Sequence, residues 1–306
     1  MRKKKIIICA IQWRSGGSLV LHYLCKELRL RGYDARIFYM PRGYYEDKHR
    51  VIFWLRWIKD NLVMSYNLLF NIKPNLLLKE DFEGCKRQWT PLCRKDLVIY
   101  NENIYGNPLK CKSVVRWLLN EFPFENDLSA YGENDLILAY REIFNDYRLN
   151  PNCNLFTLNS YNWNIYKQIN FGEREGICYV IRKGKNRNDL PIKFEGPIID
   201  DLDEKEKVKE LNKKKYCILY DPQTAYANIA AVCGCIPIVI PEPGKTKSDY
   251  RSKNDITYGI AFSWDEIEWA LETRPLLLAH FRKKEAMNQH NLELFLKKCK
   301  EKFEDF

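Results

Sequence analysis

Apolar residues fall into short runs divided by polar, glycine-containing turns. Ile6 to Ile11 is uninterrupted apolar sequence, the pattern of a strand covered on both faces of a parallel sheet. Ser15-Gly16-Gly17-Ser18 follows, and an amphipathic stretch from Leu19 to Leu30 predicts a helix that Gly32 terminates. Ala35–Tyr39, Asp96–Tyr100 and Val114–Leu119 predict further strands, the last two running into the polar loops Asn101-Glu102-Asn103 and Asn120-Glu121-Phe122-Pro123. Residues 121–175 are aromatic and lack a long period, so the domain boundary is expected near 165. The alternation then restarts. Strands are predicted at Ile177–Ile181, Tyr216–Tyr220 and Ile236–Ile240, and helices at Glu204–Asn212, Thr224–Cys233, 264–272 and 283–303.

Repeated β–α–β units in both halves place the chain in the α/β class, as two Rossmann-like domains facing a central cleft, residues 1–165 and 166–306. In such sheets ligands sit beyond the carboxyl ends of the strands. The segment from Lys48 to Phe70 reads as one more helix. A helical projection gathers Lys48, Arg56, Lys59, Asp60 and Asn67 on one side, and Val51, Trp54, Leu55, Ile58, Leu62 and Leu69 on the other. Two readings fit: insertion at a membrane interface, or burial against the N-terminal sheet.

Composition narrows the classes. A chain of 306 residues with 46% hydrophobic residues is neither disordered nor fibrous. Its eleven cysteines are irregularly spaced and follow no secretory signal, so they read as reduced thiols of a cytoplasmic protein. Met1-Arg2-Lys3-Lys4-Lys5 before the first apolar run imitates a signal peptide, but the run stops too soon. No apolar run approaches the roughly 20 residues of a membrane span. The net charge of +10 is local: residues 1–59 carry fourteen Lys and Arg against four acids, and the remainder is balanced. An anionic partner is therefore expected at the N-terminal part.

Candidate chemistry follows the strand ends. Asp221-Pro222 after the Tyr216–Tyr220 strand is expected to open a helix with Thr224 in its first turn, where free N–H groups and the helix dipole suit a diphosphate. Asp221 as a plain N-cap with Pro222 at N1 is the structural alternative. Arg182, Lys183 and Arg187 follow another strand end and suit phosphate equally. Glu102 is a candidate general base for an acceptor hydroxyl, or else a solvated loop carboxylate. Asp201-Leu202-Asp203 is read as a helix cap before a charged face. Cys233-Gly234-Cys235 is read as core, its spacing being too tight for zinc. The four histidines form no metal or triad spacing, and no P-loop is present.

Several of these segments together resemble GT-B-type glycosyltransferases, in particular bacterial enzymes of capsule and lipopolysaccharide synthesis. They are Ser15-Gly16-Gly17 with Arg31-Gly32-Tyr33-Asp34-Ala35, Tyr100–Pro108 with Val114–Asn120, and Asp221–Pro241. The resemblance implies transfer of a sugar from a nucleotide-sugar donor to a lipid-linked surface glycan, without a metal or other cofactor. It implies acceptor binding at Ser15, Gly16 and Gly17, and donor binding at Arg182, Lys183, Arg187, Asp221 and Thr224. Many retaining members carry two glutamates seven residues apart in the donor domain; that pair is not placed here, and Glu242 stands near one of its positions. An anionic membrane surface is a further expected partner, and nucleic acid is not. The alternative reading is a nucleic-acid-binding module, or a non-catalytic membrane scaffold, built on the basic N-terminal region.

Overall fold

A computed structural model describes residues 4–12, 15–41, 50–70, 83–89, 94–120, 127–159, 165–253 and 255–303. Trp13, Arg14, Lys48, His49 and the Glu121-Phe122-Pro123 turn lie outside the described residues. The chain divides into two compact units, residues 1–160 with 287–306, and residues 161–286.

The first unit is a parallel five-stranded sheet in the order β2-β1-β3-β4-β5, formed by β1 (Lys5–Ala10), β2 (Asp34–Tyr39), β3 (Leu97–Asn101), β4 (Ser113–Leu118) and β5 (Leu136–Ala139). Side chains of β1 alternate between two cores, as the two-residue strand period requires. Ile6, Ile8 and Ala10 join the core under α1 (Gly16–Leu30), while Ile7 and Cys9 join Phe38, Phe53 and Trp57 on the other face. Ser15 caps α1 by accepting the Ser18 N–H at 3.2 Å, and Gly32 follows its end at φ +80°.

Three expectations are revised here. The loop-rich stretch contains the four-residue strand β5. The helix α2 (Arg50–Phe70) does pack on the N-terminal sheet, but through Phe53, Trp57, Asn61, Met64 and Asn67, with Trp57 stacked on Phe38 at 5.3 Å. The row Val51, Leu55, Ile58, Leu62 and Leu69 faces solvent instead. Finally, the last helix does not belong to the second domain. The helix α5 (Ile267–Ala286) runs through Pro275 without the expected gap, and α6 (Asn288–Lys302) joins the first unit. Phe295 stacks on Phe156 at 4.5 Å, and Asn288 bonds both the N–H and the carbonyl of Asn159. Side-chain amides satisfying a neighbouring strand-like segment give α6 a defined register there.

The second unit has a parallel sheet β6-β7-β8, formed by β6 (Ile177–Val180), β7 (Tyr216–Leu219) and β8 (Ile236–Val239). It is covered by α3 (Glu204–Lys213), α4 (Tyr226–Cys233) and α5. Asp203 caps α3 in a full capping box with Glu206, which accounts for the Asp201-Leu202-Asp203 segment. Cys233 and Cys235 are buried in the core around α4, and all described cysteines are free thiols. Among the described residues no helix is long and apolar enough to cross a membrane.

Phe295→Ala tests the placement of α6. Deleting a buried stacked ring costs about 3–5 kcal/mol, measured as loss of unfolding free energy in urea. A loss in the range of an ordinary surface substitution, within about 0.5 kcal/mol, contradicts the docking.

Candidate functional site

In the second unit the segments that follow β7 and β8 are drawn together by one side chain. Arg187 donates from Nη1 to the carbonyls of Tyr220 (3.1 Å) and Ile240 (2.7 Å), and from Nη2 to that of Pro241 (2.7 Å). Its Nε bonds Asp189 at 2.8 Å, and the same carboxylate takes an Nη2 bond. The Asp189 carboxylate beside it holds the Arg187 pKa up. All its donor groups are thus engaged within the protein. The expectation that Arg187 grips a diphosphate is replaced by a structural role: it latches β7 to β8.

Arg182 and Lys183 differ from it. Both are exposed, in a short helical turn (Arg182–Asn186) that leaves β6. The backbone of Arg182 is left-handed, with φ +27°, unusual for a residue carrying a side chain. Backbone strain of this kind concentrates where a fold presents functional groups. Asp200 holds the turn by accepting the N–H groups of Ile181 (2.7 Å) and Arg182 (3.2 Å) through Oδ2. Its Oδ1 is buried with no hydrogen-bond partner. Gly184 lets the turn lie against β7, because a Cβ there collides with the Tyr220 carbonyl. The Arg182 guanidinium lies 5.7 Å from the Tyr226 ring centre.

Asp221 is buried at the end of β7, facing this turn. Burial pushes its carboxyl pKa up, opposed by the charge of Lys183, the Gln223 N–H, the charge of Arg182 and the Lys183 N–H. It does not cap the following helix. The helix α4 starts later than expected, at Tyr226, and Thr224 accepts the Tyr226 N–H through Oγ1 at 3.3 Å. Thr224 therefore sits in the turn before α4. Glu242 lies three residues beyond the end of β8, its carboxylate paired with Lys245 at 2.9 Å and exposed. The structure thus groups Arg182, Lys183, Asp221 and Thr224 at one sheet edge and turns the Glu242 carboxylate towards solvent.

The first unit presents a different chemistry at the corresponding edge. Its strand order changes direction between β1 and β3, the switch point where open sheets bind ligands. Gln12, past the end of β1, and Asn101, at the end of β3, are buried, and Gln12 Nε2 and Asn101 Oδ1 have no hydrogen-bond partner. A buried polar group without a partner costs about 1–3 kcal/mol, so one donor and one acceptor are left unsatisfied at this edge. Gly16 has open space where a Cβ would stand, and neither Gly16 nor Gly17 has the positive φ of an obligatory tight turn. A Cβ at Gly17 would stand 3.5 Å from the Leu119 side chain, an ordinary contact.

Glu102 is neither solvated nor isolated. It is buried, accepts the Leu119 N–H at Oε2 (2.9 Å) and the Asn103 amide at Oε1 (2.9 Å), and so ties the end of β3 to the end of β4. Sequence reasoning assigned no site role to Gln12, Asn101 or Asp200; for Gln12 and Asn101 the available signal was their place at the ends of the apolar strands β1 and β3. Among the described residues no group of three or more His, Cys, Asp or Glu is placed to hold a metal ion.

No family model matches the sequence, and no curated protein matches it. Among solved structures, the chain is similar to the crystal structure of a glycosyltransferase from Rickettsia africae ESF-5. That likeness covers 99% of both chains, with 9% sequence identity and a TM-score of 0.46. A likeness this slight decides no chemistry, which rests on the residues themselves.

The raised pKa of Asp221 has a measurable consequence. The folded state holds this proton more tightly than the unfolded chain, so its stabilising contribution is present at low pH and is lost as pH rises through the folded value. Asp221→Asn, which does not ionise, is expected to be as stable as the wild type in acid and more stable above that range. Melting temperatures from about pH 3 to 7 check it; equal pH profiles for the two proteins contradict it.

Proposed function

We propose that the protein is a glycosyltransferase that moves a sugar from a nucleotide-sugar donor to a hydroxyl acceptor. The observation that carries this reading is the strained cationic turn at Arg182 and Lys183, held over the carboxyl end of a parallel sheet. Two exposed cations there match the charge of a diphosphate, and their fixed position can stabilise the charge that develops on a leaving nucleoside diphosphate. Asp221 and Thr224 complete the donor edge. The first unit supports the other half: Gln12 and Asn101 offer one donor and one acceptor, suited to a hydroxyl rather than to an anion. Glu102 acts there as a positioning residue, tying the end of β3, which carries Asn101, to the end of β4.

A cytoplasmic enzyme working on a lipid-linked acceptor at the membrane is the finer form of this proposal. The exposed apolar row of α2, with Arg56 and Lys59 also exposed on the same helix, supports an anionic lipid surface as the partner. Leu55→Glu with Leu62→Glu is expected to abolish co-sedimentation with vesicles containing anionic lipid, with the fold intact by circular dichroism. Undiminished binding by this variant contradicts the membrane reading and leaves the donor edge unaffected.

The donor reading is tested with a panel of nucleotide sugars, UDP and GDP. Thermal stabilisation by one nucleotide class is expected, with affinity at least tenfold weaker in Arg182→Ala. No response to any nucleotide, or full activity after Arg182→Ala, overturns it.

A further inference from the structure

The second unit carries another cationic feature, at the opposite edge of its sheet. A cavity of about 230 Å³ is lined by Gln168, Arg174, Lys215, Gly234, Leu271 and Arg274, among others. Arg174 precedes β6, Lys215 precedes β7 and Gly234 precedes β8, so the cavity lies at the amino ends of the strands. The Arg182 turn lies at the carboxyl ends.

Three cations share this space. No carboxylate pairs with Arg174, Lys215 or Arg274 among the described residues. Burial, and then the neighbouring Arg174 charge, hold the Arg274 pKa down, and burial does the same to Arg174. The two guanidinium groups therefore repel each other in a partly dehydrated place. Part of their charge is met by helix ends. Arg174 donates to the carbonyls of Leu211 (3.0 Å), Cys233 (2.9 Å) and Asn170 (2.6 Å), and Arg274 Nε donates to that of Ala231 (2.9 Å). Arg274 Nη2 also bonds the Gln168 side chain. The Leu211 carbonyl lies in the last turn of α3 and those of Ala231 and Cys233 in the last turn of α4, and each helix end supplies roughly half a negative charge. Two ends against three cations leave a surplus of about two positive charges. These bonds leave over the Nε–H and one Nη1 N–H of Arg174, the Nη1 group and one Nη2 N–H of Arg274, and the Lys215 ammonium.

Gly234 keeps the arrangement possible. It has φ +92°, and a Cβ at this position collides with the Arg174 guanidinium and the Gln168 side chain. The volume is below the ~300–1,000 Å³ of pockets that take drug-sized ligands, which restricts the occupant to something small. Guanidinium and ammonium donors converging on a small space with a surplus of two charges match a tetrahedral dianion.

We propose that this cavity is a binding site for a small dianionic oxyanion, a phosphate ion or phosphate monoester group, separate from the donor edge. Occupation neutralises the Arg174–Arg274 repulsion and bridges the ends of α3 and α4 to α5, so the anion stabilises the second unit. The proposal is independent of the glycosyl-transfer reading.

The full chain is titrated with inorganic phosphate near neutral pH at constant ionic strength, with chloride as the balancing ion, followed by calorimetry and melting temperature. Saturable binding that raises the melting temperature is expected for phosphate and not for chloride. Arg274→Met is expected to weaken it at least tenfold. Because Arg274 also holds the end of α4, Lys215→Met, which removes no carbonyl contact, is the second variant, with the same loss and an unchanged melting temperature without phosphate. Arg182→Ala is expected to leave phosphate affinity unchanged, which separates this site from the donor edge. A glycerol 3-phosphate arm distinguishes the source: displacement of phosphate assigns the site to monoesters, and exclusion assigns it to the free ion. Equal effects of chloride and phosphate, wild-type affinity in both Arg274→Met and Lys215→Met, or loss of binding in Arg182→Ala overturns the proposal.

Discussion

A buried guanidinium spends its hydrogen bonds on the backbone at the working edge of each sheet. Strand carbonyls at the carboxyl end of a parallel sheet run out of ladder partners where the chain turns into loops, and buried carbonyls need donors. In the second unit Arg187 supplies them to Tyr220, Ile240 and Pro241, with Asp189 balancing the charge. In the first, the fully buried Arg116 donates to the carbonyls of Ile104 (2.8 Å) and Gly106 (2.6 Å) and pairs with Asp135 at 2.8 Å. Arg116 also lies over the Tyr100 and Tyr131 rings. A planar fork with five N–H groups can do this where lysine cannot. The turn bearing Arg182 and Lys183 is aligned because Arg187, at its end, is anchored on β7 and β8.

The two edges then differ in charge. The second unit's edge carries exposed cations close to a buried carboxylate, Asp221, whose ionisation burial opposes. The first unit's edge carries Gln12 and Asn101 as an unpartnered donor and acceptor, with the buried Glu102 carboxylate beside them. Arg36 pairs with Asp34 and Arg31 with Glu27 inside the unit, while Arg56 and Lys59 stand out on α2 beside its exposed apolar row.

Much of the architecture was legible in the sequence because parallel strands buried on both faces are written as continuous apolar runs. The strands β1 to β4 and β6 to β8 follow from that signal, while α1 begins at Gly16, a turn earlier than the Leu19 start that the amphipathic stretch predicts. The strand β5 escaped because four residues, Leu136–Ala139, give too short a period among aromatic loops. The face of α2 was inverted because a helical projection ranks apolar residues alike. Only packing reveals that Phe53 and Trp57, rather than Leu55 and Leu62, meet Phe38. The return of α6 to the first unit depends on long-range partners, Phe156 and Asn159, which no local pattern encodes. The candidate site was legible by position and not by role. Arg182 and Arg187 read alike in a basic loop, and their hydrogen-bond partners alone separate the exposed cation from the latch.

The central claim is that a nucleoside diphosphate binds at the carboxyl edge of the second sheet. Hydrogen exchange of the full chain, with and without saturating UDP or GDP, measures this most directly. The account predicts slowed exchange concentrated in residues 181–187 and 221–228, with the amino-edge segments around 174, 215 and 234 unchanged. Unchanged exchange at 181–187 and 221–228 while either nucleotide is bound contradicts it.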